Sequence, residues 1–356
     1  MKILVLPGDG IGEEITRATM TVLNVVNNRF SLGLEFEFED IGFKALDKTG
    51  TTLPDYVMEK AKQAEGIILG PISHLDYPPR EHGGVNVSAA FRVKLDLYAN
   101  IRPARSRAGL SRLGKQMDIV IMRECTEGFY SDRNMVAGTG EFMPTHDMAL
   151  SVRKITALAC ERIARRSFEL ARTRRFKVTA VHKANCMILT DGLFLREVRK
   201  VAEEFSDVEL DEMIIDAMCA HLVRDPSRFD VVVATNLYGD ILSDLASELS
   251  GSLGLAGSIN AGDNLAAAQA QHGSAPDIAD QDRANPTSLI LSSAMLLSWL
   301  AERYNNRKFS EAAAAIDRVI DNTLEDQSKR TADLGGPMGT QAFAEIVADE
   351  LRGCSG

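Results

Sequence analysis

The sequence predicts an α/β protein, because short apolar runs alternate along the chain with longer segments of helical periodicity. Residues 230–235 give the clearest example, since four consecutive apolar residues with polar neighbours predict a short buried parallel strand. Asn236 and Gly239 interrupt that pattern, and apolar residues at helical spacing resume over 240–249. A strand, a turn and a helix are therefore expected in succession.

Two acidic residues, Asp240 and Asp244, lie one turn apart on this predicted helix. Residues at that spacing share a face, with Cβ atoms about 5–6 Å apart, so their charges repel unless a cation lies between them. Open α/β sheets bind ligands beyond the carboxyl ends of their strands, where this pair is expected. A bound divalent cation is one interpretation. The other is that Asp240 faces the helix dipole and Asp244 is solvated.

Composition and charge limit the kinds of partner that the chain can have. Its 356 residues are 45% hydrophobic and 25% charged, which suits one large globular domain or two. A net charge of −10 argues against nucleic acid or an anionic membrane as a partner recognised through bulk charge. The arginine-rich stretch 172–175 is expected to be a solvated helix end. No apolar run approaches the roughly 20 residues that cross a bilayer.

The amino terminus and the cysteines predict a cytoplasmic protein. Met1 leads directly into a predicted strand rather than into a signal peptide. The cysteines are scattered and odd in number, without metal-binding spacing, as expected in a reducing compartment. They are Cys125, Cys160, Cys186, Cys219 and Cys354.

A glycine-rich turn, PGDGIG at 7–12, follows a first strand predicted over 2–6 and precedes a helix predicted over 13–28. That order suggests phosphate binding. The glycine spacing is G-x-G-x-G, however, and no acidic residue ends a second strand about 20 residues later, so an ordinary dinucleotide-binding fold is not expected. No Lys-Ser/Thr pair follows the glycines, which argues against a phosphate-transfer protein. The glycines alternatively serve only a turn that requires positive φ.

Three arginines lie on successive predicted elements of the first half of the chain. Arg92 falls on a helix, Arg102 ends a strand predicted over 96–101, and Arg123 ends another predicted over 117–122. Guanidinium groups bind carboxylates bidentately, so the three together suit a polyanionic ligand. Singly, each is more often a surface ion-pair partner.

Lys183 and Asp216 are further candidates for chemistry. Lys183 follows a strand predicted over 177–181, where it is either solvated or a buried base of lowered pKa. Asp216 falls in a helix predicted over 210–223, among apolar neighbours where an acid requires a partner. The other expected elements are a strand over 66–70, an extended ribbon over 126–142, helices over 148–172, 191–205, 287–304, 310–324 and 338–352, and loops over 71–84, 251–262 and 271–286.

Several motifs together resemble the β-decarboxylating dehydrogenases, which include isocitrate, 3-isopropylmalate, homoisocitrate and tartrate/malate dehydrogenases. They occur in the family's order from the first residue to about residue 348. The motifs are GDGIG, Arg92 followed by LDLYANIRP, RECTEGFYS, HKANCMILTDGLF, MIIDAM, TNLYGDILSDLASEL, HGSAPDIA with ANP, and RTADLGG.

The resemblance implies a two-lobed, isopropylmalate-dehydrogenase-like, non-Rossmann fold in which a mixed sheet is flanked by helices. One lobe, residues 1–97 and 251–356, would hold both termini and bind the cofactor. The other, residues 98–250, would carry the dimer contact and the metal and substrate residues. The resemblance also implies a homodimer with shared active sites, in which Lys183 and Asp216 come from the partner subunit.

The resemblance also assigns roles to individual residues. The ligands of a divalent cation, Mg²⁺ or Mn²⁺, are Asp216, Asp240 and Asp244. The arginines that bind the malate-type carboxylates of the substrate are Arg92, Arg102 and Arg123. The acid/base pair is Tyr130 and Lys183. The cofactor-binding residues are Ile11, His272, Gly273, Ser274, Ala275, Pro276, Asp277 and Asn285.

These roles imply metal-dependent oxidative decarboxylation of a (2R)-hydroxy acid with a β-carboxylate, that is, a 3-substituted malate. Lys183 takes the hydroxyl proton, directly or through water, Tyr130 protonates C3, and the metal acts as a Lewis acid. Carboxylate-only ligation suits a hard cation. NAD is the expected cofactor, because Asp277 stands where NADP-using members have a cation, and a carboxylate repels a 2′-phosphate.

Departures from the family pattern bear on the substrate. Where isopropylmalate enzymes have a leucine pair, this chain has Ser88 and Ala89, with Asn86 nearby. A polar pocket favours an isocitrate- or homoisocitrate-like substrate or a small polar one such as tartrate or malate; 3-isopropylmalate is the alternative. A catalytically silent regulatory subunit is a further alternative, although such subunits usually lose residues that are present here. Residues 280–282, Asp-Gln-Asp, replace the family's Gly-Lys-Gly and leave the conformation of the adenosine loop open.

Overall fold

In each of two units of the chain, strands of mixed direction are flanked by helices. The structure, a computed structural model, describes residues 1–112, 114–130, 132, 134–135 and 138–353. The first unit is Met1–Phe91 with Leu253–Gly356, and the second is Arg92–Ser252. The predicted α/β class is confirmed. The lobe boundaries and lobe functions that the resemblance implies stay predictions.

The bounds of the elements follow in chain order. The strands are β1 (Lys2–Leu6), β2 (Glu35–Phe38), β3 (Gly66–Leu69), β4 (Ala99–Arg105), β5 (Asp118–Glu124), β6 (Glu141–Thr145), β7 (Met148–Ser151), β8 (Lys177–His182), β9 (Glu209–Ile214), β10 (Val231–Ala234), β11 (Ile259–Ala261) and β12 (Ala266–Gln269). The helices are α1 (Gly12–Phe30), α2 (Phe43–Thr49), α3 (Asp55–Gln63), α4 (Val87–Lys94), α5 (Ala157–Arg172), α6 (Thr190–Ala202), α7 (Ile215–Arg224), α8 (Asn236–Ser250), α9 (Thr287–Tyr304), α10 (Arg307–Glu325) and α11 (Thr340–Gly353).

The strands of the first unit lie in the order β2-β1-β3-β12-β11. All neighbours are parallel except β11 and β12, which are antiparallel. β1 confirms the predicted first strand, and β1 and β3 are buried almost throughout, as is usual for parallel strands covered on both faces. Helices α1, α9, α10 and α11 pack against one another in this unit.

The strands of the second unit lie in the order β4-β5-β10-β8-β9. β4 and β5 are antiparallel, and the other pairs are parallel. Successive side chains of β10 enter different cores, because side chains alternate between the faces of a strand. Val231 and Val233 pack in the core formed with α5 and α6, whereas Val232 and Ala234 pack in the core formed with α7 and α8.

The single helix predicted over 210–223 is wrong in its first part. Residues Glu209–Ile214 form β9, which pairs in parallel with β8, and α7 begins only at Ile215. β9 ends the strand order of this unit and is only half-buried. Such a strand needs no continuous apolar run, so its polar residues concealed it in the sequence.

The long helix predicted over 148–172 is also shorter in the structure. Met148–Ser151 forms β7, which pairs with β6 as an exposed antiparallel ribbon. The helix α5 begins at Ala157, where the Oγ1 atom of Thr156 accepts a hydrogen bond from the N–H of Ala159. That cap satisfies one of the free N–H groups of the first turn and fixes the start of the helix. Part of the ribbon predicted over 126–142 lies outside the described residues.

The described cysteines and helices bear on two other predictions. Cys125, Cys160, Cys186 and Cys219 are free thiols, and Cys354 lies outside the described residues. Among the residues that the structure describes, no helix is long and apolar enough to span a membrane. Arg172 and Arg175 are exposed at and just after the end of α5, as predicted, whereas Arg174 is half-buried and binds the buried Asp230.

The segment 280–282, whose conformation the sequence left open, is fixed by two helices. Asp280 and Asp282 have φ of 59° and 53°, a left-handed conformation that Asp adopts more readily than most residues. The N–H of Asp282 donates to Glu14 of α1 at 3.1 Å. Its Oδ1 atom accepts the N–H of Gln341, in the first turn of α11, at 2.8 Å. Asp282, which stands where the family has glycine, thus caps the start of α11 from a distant segment of the chain.

We predict that Asp282→Gly destabilises the protein more than Asp280→Gly does. Glycine relieves the left-handed φ at both positions, but only the change at 282 removes the cap of α11, a loss of about 0.5–2 kcal/mol. Urea unfolding of the two variants measures the difference, with Asp280→Gly as the matched control. Equal free energies of unfolding would show that the bond to Gln341 contributes nothing.

Candidate active site

Two arginines of neighbouring strands lie side by side in the second unit. In the β4–β5 pairing, Arg102 lies opposite Ile121, so Arg123, two residues further on, points to the same face. Arg102 was expected at a strand end, but β4 continues past it to Arg105, and that prediction is wrong. Both arginines are buried, with only 7% and 1% of their surface exposed, so their charges require partners.

The partners come from helix α8. The Nη1 atom of Arg102 lies 3.2 Å from Oδ1 of Asp240, 3.1 Å from Oδ1 of Asp244 and 2.7 Å from Oγ of Ser243. The Nη1 atom of Arg123 donates to the same Oδ1 of Asp240. One turn of α8 thus compensates both buried guanidinium groups.

Helix α8 begins earlier than predicted, because the expected turn residues are helical. The side chain of Asn236 accepts a hydrogen bond from Nε of Arg123 at 2.8 Å and donates to the backbone oxygen of Glu127 at 2.6 Å. Gly239 lies against Arg123, and a Cβ atom at position 239 would come within 2.6 Å of the Arg123 Cβ. The two residues that suggested a break in the sequence therefore let the helix approach β5 closely.

The Tyr130 hydroxyl completes the network. It donates to Oδ2 of Asp240 at 2.6 Å and lies 3.0 Å from Nη2 of Arg123, from which it accepts. Burial raises the pKa of Tyr130 to about 12, and the neighbouring Asp240 carboxylate acts in the same direction. The phenol is therefore protonated near neutral pH and available as a proton donor.

The charges around Asp240 keep it ionised. Burial by itself raises the pKa of this carboxyl, but Arg123 and Arg102 outweigh that effect, so the pKa is lowered. Arg92, in the last turn of α4, acts on Asp240 in the same direction as the other two arginines. The structure thus gathers the three predicted arginines, Tyr130 and Asp240 within one unit.

Asp240 and Asp244 form a suitable partial ligand set for a hard cation. Their Oδ1 atoms converge on a single positive group, Nη1 of Arg102, and carboxylate oxygens are the ligands that Mg²⁺ and Mn²⁺ prefer. Within the described part of one chain, no group of three or more His, Cys, Asp or Glu side chains is arranged to hold a metal. The third predicted ligand, Asp216, is thus not gathered with the other two.

Asp216 instead binds Lys183. The Nζ atom of Lys183 donates to Oδ1 of Asp216, and that hydrogen bond raises the pKa of Lys183 and lowers the pKa of Asp216. The prediction that Asp216 lies in apolar surroundings is wrong, because β9 ends just before it and leaves the carboxylate exposed at the start of α7. Asp216 thus has a partner, as the sequence predicted, and that partner is Lys183. The pKa of Lys183 is raised, whereas a base of lowered pKa was one of the two expectations for it.

Two segments of the cofactor prediction meet in the first unit. The N–H of Ile11 donates to the backbone oxygen of Ser274 at 2.8 Å, and the Ser274 hydroxyl lies 2.7 Å from that of Ser73. Gly10 has φ of 58°, and a Cβ atom there would lie 2.0 Å from the Ser274 oxygen. The PGDGIG turn therefore needs this glycine to approach the segment 272–277 so closely.

The remaining cofactor candidates line the same stretch of chain. The Nε2 atom of His272 is buried without a hydrogen-bond partner, and burial lowers the pKa of this histidine. Such an orphaned ring nitrogen suits a ligand that supplies a donor or acceptor. Gly273 and Asp277 are exposed, Ala275 has a left-handed φ of 37°, and Pro276 begins a short 3₁₀ turn. The amide of Asn285 donates to Asp333 at 3.0 Å.

The two polar residues proposed for the substrate pocket have partners in the same unit. The Oδ1 atom of Asn86 accepts the N–H of Ala89 at 3.0 Å, close to the start of α4. The Ser88 hydroxyl donates to Gln269 at 3.0 Å. Asn86 therefore caps a helix, which the sequence analysis did not foresee.

Asn236 and Ser243 also bind the arginines, and neither role was predicted from the sequence. Both were visible as a pattern, since 236, 240, 243, 244 and 247 are polar positions at helical spacing on one face of α8. The two acids were noted because their charges repel, whereas neutral polar residues in the same stripe gave no such signal. A polar stripe on a buried helix indicates partners elsewhere in the fold.

Known proteins of one family are similar to this chain over nearly its whole length. The family model described as isocitrate/isopropylmalate dehydrogenase matches residues 2–347. A 3-isopropylmalate dehydrogenase of Archaeoglobus fulgidus is 39% identical over 98% of this chain and 99% of its own length. An isocitrate/homoisocitrate dehydrogenase of Thermus thermophilus is 41% identical over 99% and 98%. A crystal structure of isocitrate dehydrogenase from Methylococcus capsulatus superposes with a TM-score of 0.85 at 37% identity, covering 99% of both chains.

We predict that Gly239→Ala disturbs Arg123. The added methyl group would lie 2.6 Å from Cβ and 2.7 Å from Cγ of Arg123, so the arginine or the helix must shift. Overpacking of this kind costs about 1–3 kcal/mol of unfolding free energy, and displacement of the guanidinium should raise the KM for the acidic substrate. The matched control is Gly192→Ala on α6, where nothing lies within 4 Å of the added atom. Unchanged stability and KM in Gly239→Ala would contradict the close packing.

Proposed function

The chain belongs to the isocitrate/isopropylmalate dehydrogenase family, and from that premise we propose that it oxidatively decarboxylates a 3-substituted malate with NAD and Mg²⁺ or Mn²⁺. Dehydrogenases of this family act on hydroxy acids with a nicotinamide cofactor and a divalent metal, and the chain is a dehydrogenase of this class. The substrate, NAD as the cofactor and the site residues are the proposed part.

The observation that supports the proposal most is the convergence of Arg102, Arg123 and Tyr130 on Asp240. Two buried guanidinium groups on one face of adjacent strands fit the two carboxylates of a malate core, which Arg92 would also contact. In the proposed complex the carboxylates of the substrate bind Arg102 and Arg123 in place of the aspartates. The oxygens of Asp240 and Asp244 then become available to a cation. A divalent cation there would act as a Lewis acid toward the substrate, and bound NAD would accept the hydride.

The chain's own residues then account for the proton transfers. Lys183 would take the proton of the C2 hydroxyl, and Tyr130, protonated because its pKa is about 12, would deliver a proton to C3. Asp216 holds Lys183 in its charged form in the single chain. Ligation of Asp216 to a cation would remove that partner, lower the pKa of Lys183 and allow it to act as a base.

NAD rather than NADP is proposed from the charge of the adenosine segment. Asp277 is exposed, and Asp280 and Asp282 follow it within the same loop. A carboxylate can accept a hydrogen bond from a ribose 2′-hydroxyl, whereas several carboxylates repel a 2′-phosphate. The orphaned Nε2 atom of His272 supports a cofactor at this segment.

For the substrate we favour an isocitrate- or homoisocitrate-like acid, or a small polar one such as tartrate or malate. Ser88 and Ala89 stand where a leucine pair would pack an isopropyl group, and the hydroxyl of Ser88 is bonded to Gln269. The second candidate is 3-isopropylmalate, favoured by the name of the Archaeoglobus fulgidus relative. The metal acids and the Tyr/Lys pair argue against a catalytically silent subunit.

We further propose a homodimer with shared active sites in the cytoplasm. Exposed apolar side chains support the dimer: Phe142, Met143, Met148 and Leu150 on the β6–β7 ribbon, and Leu189 next to α6, which is 87% exposed. Phe142 and Leu150 lie opposite each other on the ribbon, and exposed apolar groups that lie together are typical of protein interfaces. In such a dimer Lys183 and Asp216 would serve the site of the partner subunit. The free thiols fit a reducing compartment.

We predict NADH formation with Mn²⁺ and isocitrate, homoisocitrate, tartrate or D-malate at a higher kcat/KM than with 3-isopropylmalate, and little turnover with NADP. Ser88 gives the substrate pocket a polar residue, which should favour a polar substituent over an isopropyl group. The carboxylates of the adenosine loop should repel the 2′-phosphate of NADP. Absorbance at 340 nm measures both. A preference for 3-isopropylmalate would contradict the polar pocket, and equal use of NADP would contradict the role of Asp277.

We predict that Asp244→Asn weakens Mn²⁺ binding about 10²-fold and lowers turnover in parallel. Loss of a residue that only supports a metal ligand already weakens metal binding about 10- to 100-fold, and loss of a ligand should cost no less. Asp244 is the better position to test, because Asp240 also neutralises Arg123 and its loss would leave buried charge unpaired. Mn²⁺ affinity is measured by calorimetry and activity by the assay above, before and after removal of metal with EDTA. Asp47→Asn, at an exposed position of α2, is the control. Normal Mn²⁺ affinity in Asp244→Asn would exclude this residue as a ligand.

A further inference from the structure

A buried ion pair that the proposed chemistry does not use lies beside Lys183. The side chain of Arg153 is 5% exposed and that of Asp191 is 0% exposed, and Nη1 of Arg153 binds Oδ1 of Asp191. The same Nη1 lies 3.1 Å from the Thr190 hydroxyl, and Nη2 donates to the Thr235 hydroxyl at 2.9 Å. The pair therefore connects the start of α6 to the end of β10.

The second oxygen of Asp191 reaches the candidate base. Its Oδ2 atom accepts the backbone N–H of Lys183 at 2.5 Å. On the other side of this turn, Nδ1 of His182 accepts the N–H of Ala184 at 3.1 Å. The backbone at Lys183 is thus fixed by a carboxylate that is itself held by Arg153.

The guanidinium of Arg153 also lies between segments that carry other site residues. It stacks 5.4 Å from the ring of Phe129 and 5.2 Å from the ring of Tyr238. Phe129 immediately precedes Tyr130, and Tyr238 lies two residues before Asp240 on α8. Arg153 therefore contacts residues next to the candidate acid and the candidate metal ligands, and through Asp191 it reaches the backbone of the candidate base.

Stability alone does not account for a charged pair here. Burying two ions costs several kcal/mol each, and apolar residues of similar volume often serve stability as well or better. What an apolar pair cannot do is accept the N–H of Lys183 and donate to Thr235 at the same time. We infer that Arg153 and Asp191 are positioning residues, which fix the backbone of Lys183 relative to the segments of Tyr130 and Asp240. The inference rests on the proposed role of Lys183 as the base.

The test compares Arg153→Met with Asp191→Leu, their double variant, and the conservative Arg153→Lys and Asp191→Asn. We expect Arg153→Met and Asp191→Leu to lower kcat about 10²-fold, the loss that follows from a displacement of about 1 Å, with KM and Mn²⁺ affinity within about threefold of the parent. The double variant should regain thermal stability relative to either single variant without regaining kcat. Asp191→Asn, which keeps an acceptor for the Lys183 N–H, should retain more activity than Asp191→Leu.

The matched control is another ion pair of the same unit, the half-buried Arg174 with the buried Asp230, at the opposite end of β10. Arg174→Met should lower the melting temperature but leave kcat unchanged. If Arg153→Met and Asp191→Leu behave in the same way, with reduced stability and unchanged kcat, the pair is merely structural and the inference is wrong.

A readout independent of turnover separates this inference from the proposed function. Hydrogen exchange, followed by mass spectrometry of the peptide containing Lys183, should show lost protection at 182–186 in Arg153→Met and Asp191→Leu but not in Arg174→Met. Unchanged protection there would overturn the inference even if activity fell. Failure of the proposed function would appear differently, as a wild-type protein that turns over no acid of the panel, or as a Lys183→Ala variant of unchanged kcat.

Discussion

The charge balance around Asp240 is the interaction on which the candidate site depends. Arg102 and Arg123 are buried between the strands and α8, and a buried charge without a partner costs several kcal/mol. Asp240 binds both guanidinium groups and accepts the Tyr130 hydroxyl, so one carboxylate holds three elements together. The fold therefore requires an acid at this position even without a metal, and any cation that binds Asp240 must displace or share existing partners.

The topology of the sheet places these charged residues next to one another. β4 runs antiparallel to β5, which places Arg102 and Arg123 on one face, and β10 runs parallel to β5, which starts α8 at the same edge. In the register, Ala234 of β10 pairs with Arg123 on one side and with Val181 of β8 on the other. The carboxyl ends of these strands thus deliver an arginine, the acidic helix and Lys183 to one edge, as open α/β sheets do for ligands.

The sequence alone predicted the features that are encoded locally. The apolar run of β10 and the shared face of Asp240 and Asp244 follow from spacing within a few residues, and the family motifs identified the arginines. It did not predict β9, whose polar edge residues lack the usual apolar run, nor the helical state of Asn236, whose hydrogen bonds come from Arg123 and Glu127. Arg153 and Asp191 are 38 positions apart, and only the packing of α6 against the strands brings them together. Pairings of that kind leave no local pattern.

In the single chain, each predicted metal ligand binds a basic group that the proposed reaction needs: Asp240 and Asp244 bind Arg102, and Asp216 binds Lys183. These ion pairs compensate the charges of the acids, including those next to the buried Arg102. Arrival of a divalent cation would exchange these partners, so that arginines become free to bind carboxylates and Lys183 loses the acid that raises its pKa. Cation binding and substrate binding would then favour each other by the same electrostatic exchange, and that coupling is reciprocal by thermodynamic necessity. In the proposed mechanism, the cation and the substrate are thus recruited together.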